Sequence, residues 1–367
     1  MLLLTTTRDA LLAPLQSVSG VVEKRHTLPI LSNVLIEKRG QELTLLATDI
    51  EIQIKTTALG DGGEDLAFTV GARKLQDILR ALPDTAPVSL SLDDKRLTIK
   101  AGKSRFQLQT LPAADYPRLA PPTAESLRFS IPQGAFKRQL SLVQFAMAQQ
   151  DIRYYLNGLL LVATGGELRM VATDGHRLAY VSSQIEADLP KTEVILPRKT
   201  VLELARQLAD NDDPMEVSIV GSQVVFRFGA IELISKLIDG KFPDYERVIP
   251  QHHPKLLTLD RPSLLAALQR AAILSNEKFR GVRLVLADGS LKVISSNAEQ
   301  EEAQEELEID YAGEGLDIGF NVTYLLDVLT NVAADTVEWR FNDGNSSALV
   351  TLPGNNQFRY VVMPMRI

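Results

Sequence analysis

Three stretches of the chain alternate apolar and polar residues in closely matched fashion: GQELTLLATD (40–49), GGELRMVATD (165–174) and DGSLKVISSN (288–297). Alternation over this length predicts half-buried strands. Their starts lie 125 and 123 residues apart. A second set is helix-like: ARKLQDIL (72–79), PRKTVLEL (197–204) and NVTYLLDV (321–328), offset by 125 and 124 residues. A third set consists of TTTRDALLAPLQSV, SIPQGAFKRQLSLV and TLDRPSLLAALQRA. In each, a Thr, Ser or Asp precedes an apolar i, i+3, i+4 pattern, which is a helix start signal. Matched features at one spacing divide the chain into three repeats, 1–125, 126–250 and 251–367.

Each repeat holds two similar halves. A capped helix leads into alternating strands, then a second helix (Lys74–Leu82, Lys199–Leu208, Val322–Val332) and further strands. In VSLSLDDKRLTIKAGKSRFQLQTL the turns are expected at Asp93–Asp94 and Gly102. The expected class is α+β, with two helices packed on antiparallel sheets in every domain. The Pro-rich stretches LAPPTAE near residue 121 and VIPQHHP near residue 250 fall where linkers belong.

The 45% apolar and 23% charged residues are those of a globular protein. No apolar run nears the roughly 18–20 residues of a membrane helix, so no membrane partner is expected. The start MLLLTTTRDALL lacks a basic n-region and a cleavage site and reads as mature protein. The absence of cysteine excludes disulfides and thiolate chemistry and suits a reducing cytosol, hence a cytoplasmic location. The net charge of −7 is unevenly spread: zero over 1–125, −1 over 126–250 and −6 over 251–367. Local basic surface is therefore compatible with the acidic total.

Catalytic chemistry finds little support, and no cofactor or metal is expected. His176 in ATDGHRLA has Asp174 nearby, but GxSxG, HExxH and a phosphate-binding glycine loop are missing. A turn residue lining a surface groove is the better reading. His252 and His253 are expected to be solvated in a linker. The acidic run EQEEAQEELEID (299–310) lacks calcium-loop spacing. It leaves two readings: a charged strand edge, or a docking surface for Lys74, Lys103 and Arg105 of the first repeat. Basic residues such as Lys24, Arg73, Arg80, Lys137, Arg138, Arg206 and Arg270 recur on helices and their flanks. They are either a solvated face or a surface tracking duplex phosphates, with no aromatic platform for reading bases. The tail YVVMPMRI is either a last edge strand over a core or one wall of an adaptable peptide groove.

Beyond these patterns, the chain resembles the β subunit of bacterial DNA polymerase III, the sliding clamps. The resemblance runs through TLPILSNVL (27–35), FAMAQQDIRYYLNG (145–158), ATDGHRLA (172–179), SKLIDGKFPDYERVIP (235–250), ILSNEKFRGVRL (273–284), QEEAQEELE (300–308), IGFNVTYLLDVL (318–329) and YVVMPMRI (360–367). It implies the DNA clamp fold, a head-to-tail homodimer forming a ring, and duplex DNA passing through the hole unread. It also implies partners: the polymerase III catalytic subunit, the clamp loader, and other polymerases and repair proteins carrying Gln-, Leu- and Phe-containing motifs.

The resemblance further implies three sets of site residues. A peptide groove would be walled by Arg153, Tyr155, Leu156, Thr173, Gly175, His176, Arg177, Leu178, Pro243, Arg247 and Val248. Asn321, Tyr324, Ser347, Val361, Met363, Pro364, Met365 and Arg366 would complete it. Arg25, Gln150, Arg198 and Lys199 would face DNA. At the dimer junction Ile273 and Leu274 would pack on Phe106 and Leu108, flanked by Lys74, Lys103, Arg105, Glu301, Glu302 and Glu305. Two departures are small: Asn345 is polar where an apolar residue can line the groove, and Ile367 stands where Leu is common.

Overall fold

The computed structural model describes residues 2–23, 28–60, 62–93, 95–120 and 127–366. Six α-helices appear among them: α1 (Arg8–Ser19), α2 (Ala72–Ala81), α3 (Gln133–Val143), α4 (Arg198–Gln207), α5 (Arg261–Ala272) and α6 (Val322–Asn331). They are the six expected from the repeats, two to a repeat. Thr7 caps α1 by accepting from the Ala10 N–H, and Asp260 caps α5 by accepting from the Ser263 N–H. The second repeat differs. Ser130 lies within the strand Leu127–Pro132, and α3 begins only at Gln133, so Ser130 is not a cap.

By contacts the chain forms two compact units that do not follow the repeats: Met1–Ala135 with Arg206–Leu237, and Phe136–Ala205 with Ile238–Ile367. The first unit is built on a twelve-stranded antiparallel sheet. First-repeat strands fill eight places, and Ile52–Leu59 then pairs with Ile231–Lys236, continuing the sheet into the second repeat. Leu11, Leu12, Leu15 and Val18 of α1, with Leu75 and Leu79 of α2, are buried. In the hairpin series Pro87–Asp93, Arg96–Ala101 and Ser104–Pro112 the turn expected at Gly102 is present, with that glycine at φ +57°. Asp94 lies outside the described residues, as does the stretch 121–126 of the first proposed linker.

The second unit carries a six-stranded and a four-stranded antiparallel sheet. Gly158–Thr173 and Arg177–Pro197 form a long hairpin, and Asn355–Val362 pairs with its second arm. Asn355–Val362 also pairs with Ala348–Leu352, so the final strand is interior. The edge-strand reading of the tail is thereby overturned: both sides of that strand are hydrogen-bonded. The four-stranded sheet ends on Glu302–Glu308, which pairs on one side only, with Ser290–Ser296. Trp339, Phe358 and Tyr360 of the six-stranded sheet and Phe320 of the four-stranded one are among the largest fully buried side chains.

In the first unit, Tyr116 ties the end of the first repeat back onto the sheet. Its hydroxyl donates to the Asn33 carbonyl (3.0 Å) and accepts from the Thr48 N–H (3.2 Å), with the ring packed on Leu35 and Leu46. Burial pushes the phenol up to about 12, against the opposing Thr48 hydrogen bond. Replacing Tyr116 by Phe strands a buried N–H and is expected to cost about 1–3 kcal/mol. Hydrogen exchange at the Thr48 amide would report the loss. Because the folded value lies above the ordinary 10, the tyrosine's contribution is intact below pH 10 and lost as pH rises through about 12. Tyr116→Phe should flatten that alkaline decline in a pH series of urea melts.

Candidate functional site

The turn between the long strands Gly158–Thr173 and Arg177–Pro197 is set by its own side chains. Asp174 Oδ1 accepts from the N–H groups of His176 (2.9 Å) and Arg177 (3.1 Å). The Thr173 hydroxyl donates to the Arg177 carbonyl (2.6 Å) and accepts from the Gly175 N–H (3.1 Å). Gly175 sits at φ +90°, and a Cβ there would lie 3.0 Å from both terminal nitrogens of Arg153. A side chain at this position would meet strain and collision together. Arg153 in turn grips Asp151 with two bonds of 3.0 and 2.8 Å and donates to the Asp174 carbonyl (3.2 Å). Those hydrogen bonds hold the Asp151 carboxyl down at about 2.

Arg177 is largely engaged within the chain. Its side chain is only 9% exposed. The guanidinium donates to Asp174 (3.1 Å), to Asp327 on α6 (2.5 Å) and to the Phe145 carbonyl (2.6 Å). It also lies 4.5 Å from the Tyr324 ring centroid and 5.7 Å from that of Phe145. Tyr360 completes the cluster by donating to the Tyr324 carbonyl (2.9 Å). Whatever it offers a peptide, Arg177 is a strut that joins the 174–176 turn to α6.

Around this strut the expected groove residues come together within the second unit. Thr173, Leu178, Val361 and Leu349 lie side by side across four strands. Leu178, Val361 and Leu156 are buried in one apolar cluster with Phe242 and Ile249, against which Tyr155 packs, so they form a floor and not walls. His176 is exposed and stacks on Tyr324 at 6.5 Å. Beyond the last strand, Met363 donates its N–H to the His176 carbonyl and Met365 to the Gly319 carbonyl, each at 2.9 Å. Met363 thus stands beside the turn, 47% exposed. Pro364 and Met365 are half-buried, and Arg366 is exposed. Asn321 caps α6 by accepting from the Thr323 N–H. Pro243, Arg247 and Val248 are exposed, with Arg247 paired to Asp244 (2.8 Å). Asn345 is exposed in a turn held by Asp343; Ile367 lies outside the described residues.

Two neighbours were missed from sequence. Ile152 is 96% exposed and Tyr154 is exposed too, on either side of Arg153. The signal available was an apolar residue next to Asp and Arg in a loop. His253 is also corrected: it is half-buried, with Nε2 placed 2.7 Å from the Ser347 carbonyl, so it is not simply solvated.

The other expected sets are placed less completely. Arg25 lies outside the described residues, together with Lys24 and His26. Gln150 is exposed at φ +56°. Arg198 donates to the Met147 carbonyl (3.3 Å), and Lys199 is half-buried with a partner already in the fold. In the first unit, residues 104–109 of Ser104–Pro112 pair on one side only, leaving Arg105, Phe106 and Leu108 along an open edge. Lys103 is exposed, and Lys74 and Leu108 line a cavity of about 730 Å³ beside that edge. In the second unit Ile273 is 77% exposed at the end of α5, Leu274 is half-buried, and Glu301 and Glu302 are exposed. Glu305 is instead closed by Arg270 of its own chain at 2.9 and 2.6 Å, so it does not stand open for a partner cation. No cluster of metal-ligating side chains occurs among the described residues. Asp174 spends both carboxylate oxygens on the turn and on Arg177, so it does not orient the His176 ring as a base.

Models of the three domains of the DNA polymerase III beta subunit match the chain in order: N-terminal over residues 2–120, central over 130–244 and C-terminal over 246–366. A beta sliding clamp of Pseudomonas aeruginosa is 49% identical over 367 residues, covering 99% of each chain. That of Escherichia coli is 46% identical over 364 residues, again covering 99% of each. A crystal structure of the DNA polymerase sliding clamp from Pseudomonas aeruginosa superposes with a TM-score of 0.93 at 48% identity, covering 100% of both chains. One from Caulobacter crescentus gives 0.91 at 41% identity and 99% of both.

The strut assignment separates two arginines that look alike in sequence. Arg177→Ala leaves Asp327 and a buried carbonyl unpaired and should lower the unfolding free energy by about 3 kcal/mol. Arg247, 86% exposed, should cost no more than about 0.5 kcal/mol when changed to Ala. Equal midpoints for the two variants in urea melts would contradict the assignment.

Proposed function

Because the chain belongs to the DNA polymerase III beta subunit family, we propose that two copies close head to tail into a ring around duplex DNA. The protein is a sliding clamp with the three-domain DNA clamp fold, a non-catalytic factor that confers processivity. DNA and the polymerase are its partners. The finer reading concerns how this chain assembles, what it docks and where its domains end, at 125 and 250.

The observation that carries the assembly is that two one-sided strand segments bear opposite charge. Residues 104–109 present Arg105 with Phe106 and Leu108, and Lys74 and Lys103 add positive charge nearby. Glu302–Glu308 presents an acidic edge, and exposed Ile273 ends α5, whose Arg270 pairs with Glu305 of that strand. Open edges are pairing templates, and opposite charge selects between them. Joining unlike edges of two copies is a heterologous contact, and it closes when the second copy repeats it. Ile273 and Leu274 then pack on Phe106 and Leu108. In this ring Gln150, Arg198, Lys199 and Arg25 face DNA.

Weak contact suffices for such a device. Non-specific attraction to duplex DNA is only about 10⁻⁴–10⁻⁶ M and salt-sensitive. A closed ring cannot leave sideways, and a tethered enzyme rebinds at an effective concentration of order mM. The surface around Leu178, Val361, Met363 and His176 serves as the tether point for short Gln-, Leu- and Phe-containing peptides. Their bearers are the polymerase III catalytic subunit, the clamp loader, and other DNA polymerases and repair proteins. Phe and Leu anchors suit its apolar floor. No helix among the described residues is long and apolar enough to cross a membrane. We place the protein in the cytoplasm, with the DNA.

Topology gives the decisive test. Loaded onto a nicked circular plasmid by its clamp loader, the protein should stay bound at high salt and be lost when the plasmid is linearised. Equal, salt-sensitive retention on both forms would defeat the ring. Ile273→Ala with Leu274→Ala should sediment as a monomer, whereas a double variant that remains dimeric would place the junction elsewhere.

A further inference from the structure

The sheet face that floors the groove continues into a second, polar recess. Register defines it. The floor row is Thr173, Leu178 and Val361; the next row on that face is Val171, Tyr180 and Arg359; the row beyond pairs Arg169 with Ser182. Residues two apart on a strand share a face, with a spacing of about 7 Å. Arg359 therefore stands one pleat from the floor, a span that about two residues of extended peptide cover. A cavity of about 500 Å³ opens there, bordered by Arg169, Ser182, Glu246, Gln357 and Arg359.

The two arginines of this recess are in different states. Arg169 is spent, with bonds of 2.9 and 2.7 Å to Glu167 and one of 3.3 Å to Glu246. Arg359 is half-buried, its guanidinium 5.3 Å from the Tyr180 ring centroid, and it has no carboxylate partner among the described residues. A permanent cation with five donors, partly withdrawn from water and unpaired, is a costly arrangement that an incoming carboxylate relieves. The Ser182 hydroxyl and the Gln357 amide beside it supply neutral donors. Glu167 and Glu246 offset Arg169, so the recess as a whole is too near neutrality to gather a free anion. A carboxylate delivered by a chain already seated on the floor row arrives at an effective concentration of order mM.

We propose that this recess is an accessory subsite for an Asp or Glu side chain of the same partner peptide that fills the groove, carried two to four residues outside its apolar anchors. The proposal rests on the groove reading above. It makes Arg359 a determinant of which partners dock best.

The test measures binding of fluorescent peptides to the full-length protein and to its Arg359→Gln and Arg359→Glu variants. One peptide carries a core Gln-Leu-Phe motif alone; others add two Asp or two Lys residues on its amino or its carboxyl side. An acidic extension on one side should tighten binding to the unsubstituted protein by about threefold to tenfold. That gain should vanish in Arg359→Gln, and Arg359→Glu should favour the Lys extension on the same side. Equal affinity of the core peptide for all three proteins would show that the fold and groove are intact. Core binding with no gain from Asp on either side, or a gain that survives Arg359→Gln, would overturn the subsite alone. Failure of the core peptide to bind the unsubstituted protein would overturn the groove reading and the subsite with it.

Discussion

Every backbone N–H and C=O along a strand needs a partner, and this demand organises the molecule more than any side-chain contact. A single repeat of this chain could not meet it, because its sheets would end in open edges. Pairing therefore passes from one repeat to the next. Ile52–Leu59 takes Ile231–Lys236 as a neighbour, and Arg177–Pro197 takes Asn355–Val362. The compact units consequently cut across the sequence repeats, since contacts follow the sheets. Several strand edges stay unfilled among the described residues, including residues 104–109 and 302–308. In the proposed ring those two satisfy each other, so assembly answers the same hydrogen-bonding demand that folding does.

The candidate groove follows from the second of these pairings. Bringing Asn355–Val362 beside Arg177–Pro197 sets Val361 against Leu178 and carries the chain end past His176. Side chains from both repeats then share one floor. Arg177 stiffens the arrangement by bonding the turn, α6 and the Phe145 carbonyl at once. A site held this way loses little freedom when a peptide binds, and that economy matters for short motifs with few contacts. Burying a cation to obtain it is tolerable only because two carboxylates and a carbonyl surround the guanidinium.

How much of this could be read from sequence depends on range. Helices and strands were legible because their signals are local: α2, α4 and α6 begin and end within two residues of where periodicity put them, and the turn at Gly102 falls where glycine marked it. Pairing partners were not. YVVMPMRI reads equally well as an edge strand, yet the strand it belongs to is central, a fact set by residues 177–181 nearly two hundred positions earlier. The same limit explains the charged residues. Arg177 and Arg247 have one side chain and opposite fates, and Glu305 looks as open as Glu302 until Arg270 is found beside it. Sequence supplies the donors and acceptors; distance along the chain hides who meets whom. The grouping of 153–156, 173–178, 243–248 and 321–366 into one site came from family resemblance, not from pattern.

An acidic protein that encircles DNA needs a reason for its charge, and the distribution offers one. The final repeat carries −6 of the total −7. Four glutamates of Glu302–Glu308 and two more at 299 and 301 crowd one edge, where repulsion discourages pairing with a like edge of another copy. In the proposed ring the same charges favour an edge bearing Arg105 and Lys103, so one feature would both oppose the symmetric contact and select the head-to-tail one. A head-to-head contact would also set Ile273 against its own copy and leave Phe106 and Leu108 uncovered. In the proposed ring DNA is held by enclosure, so an acidic total charge costs the clamp little. Selection is free to spend that charge on partner choice at the junction.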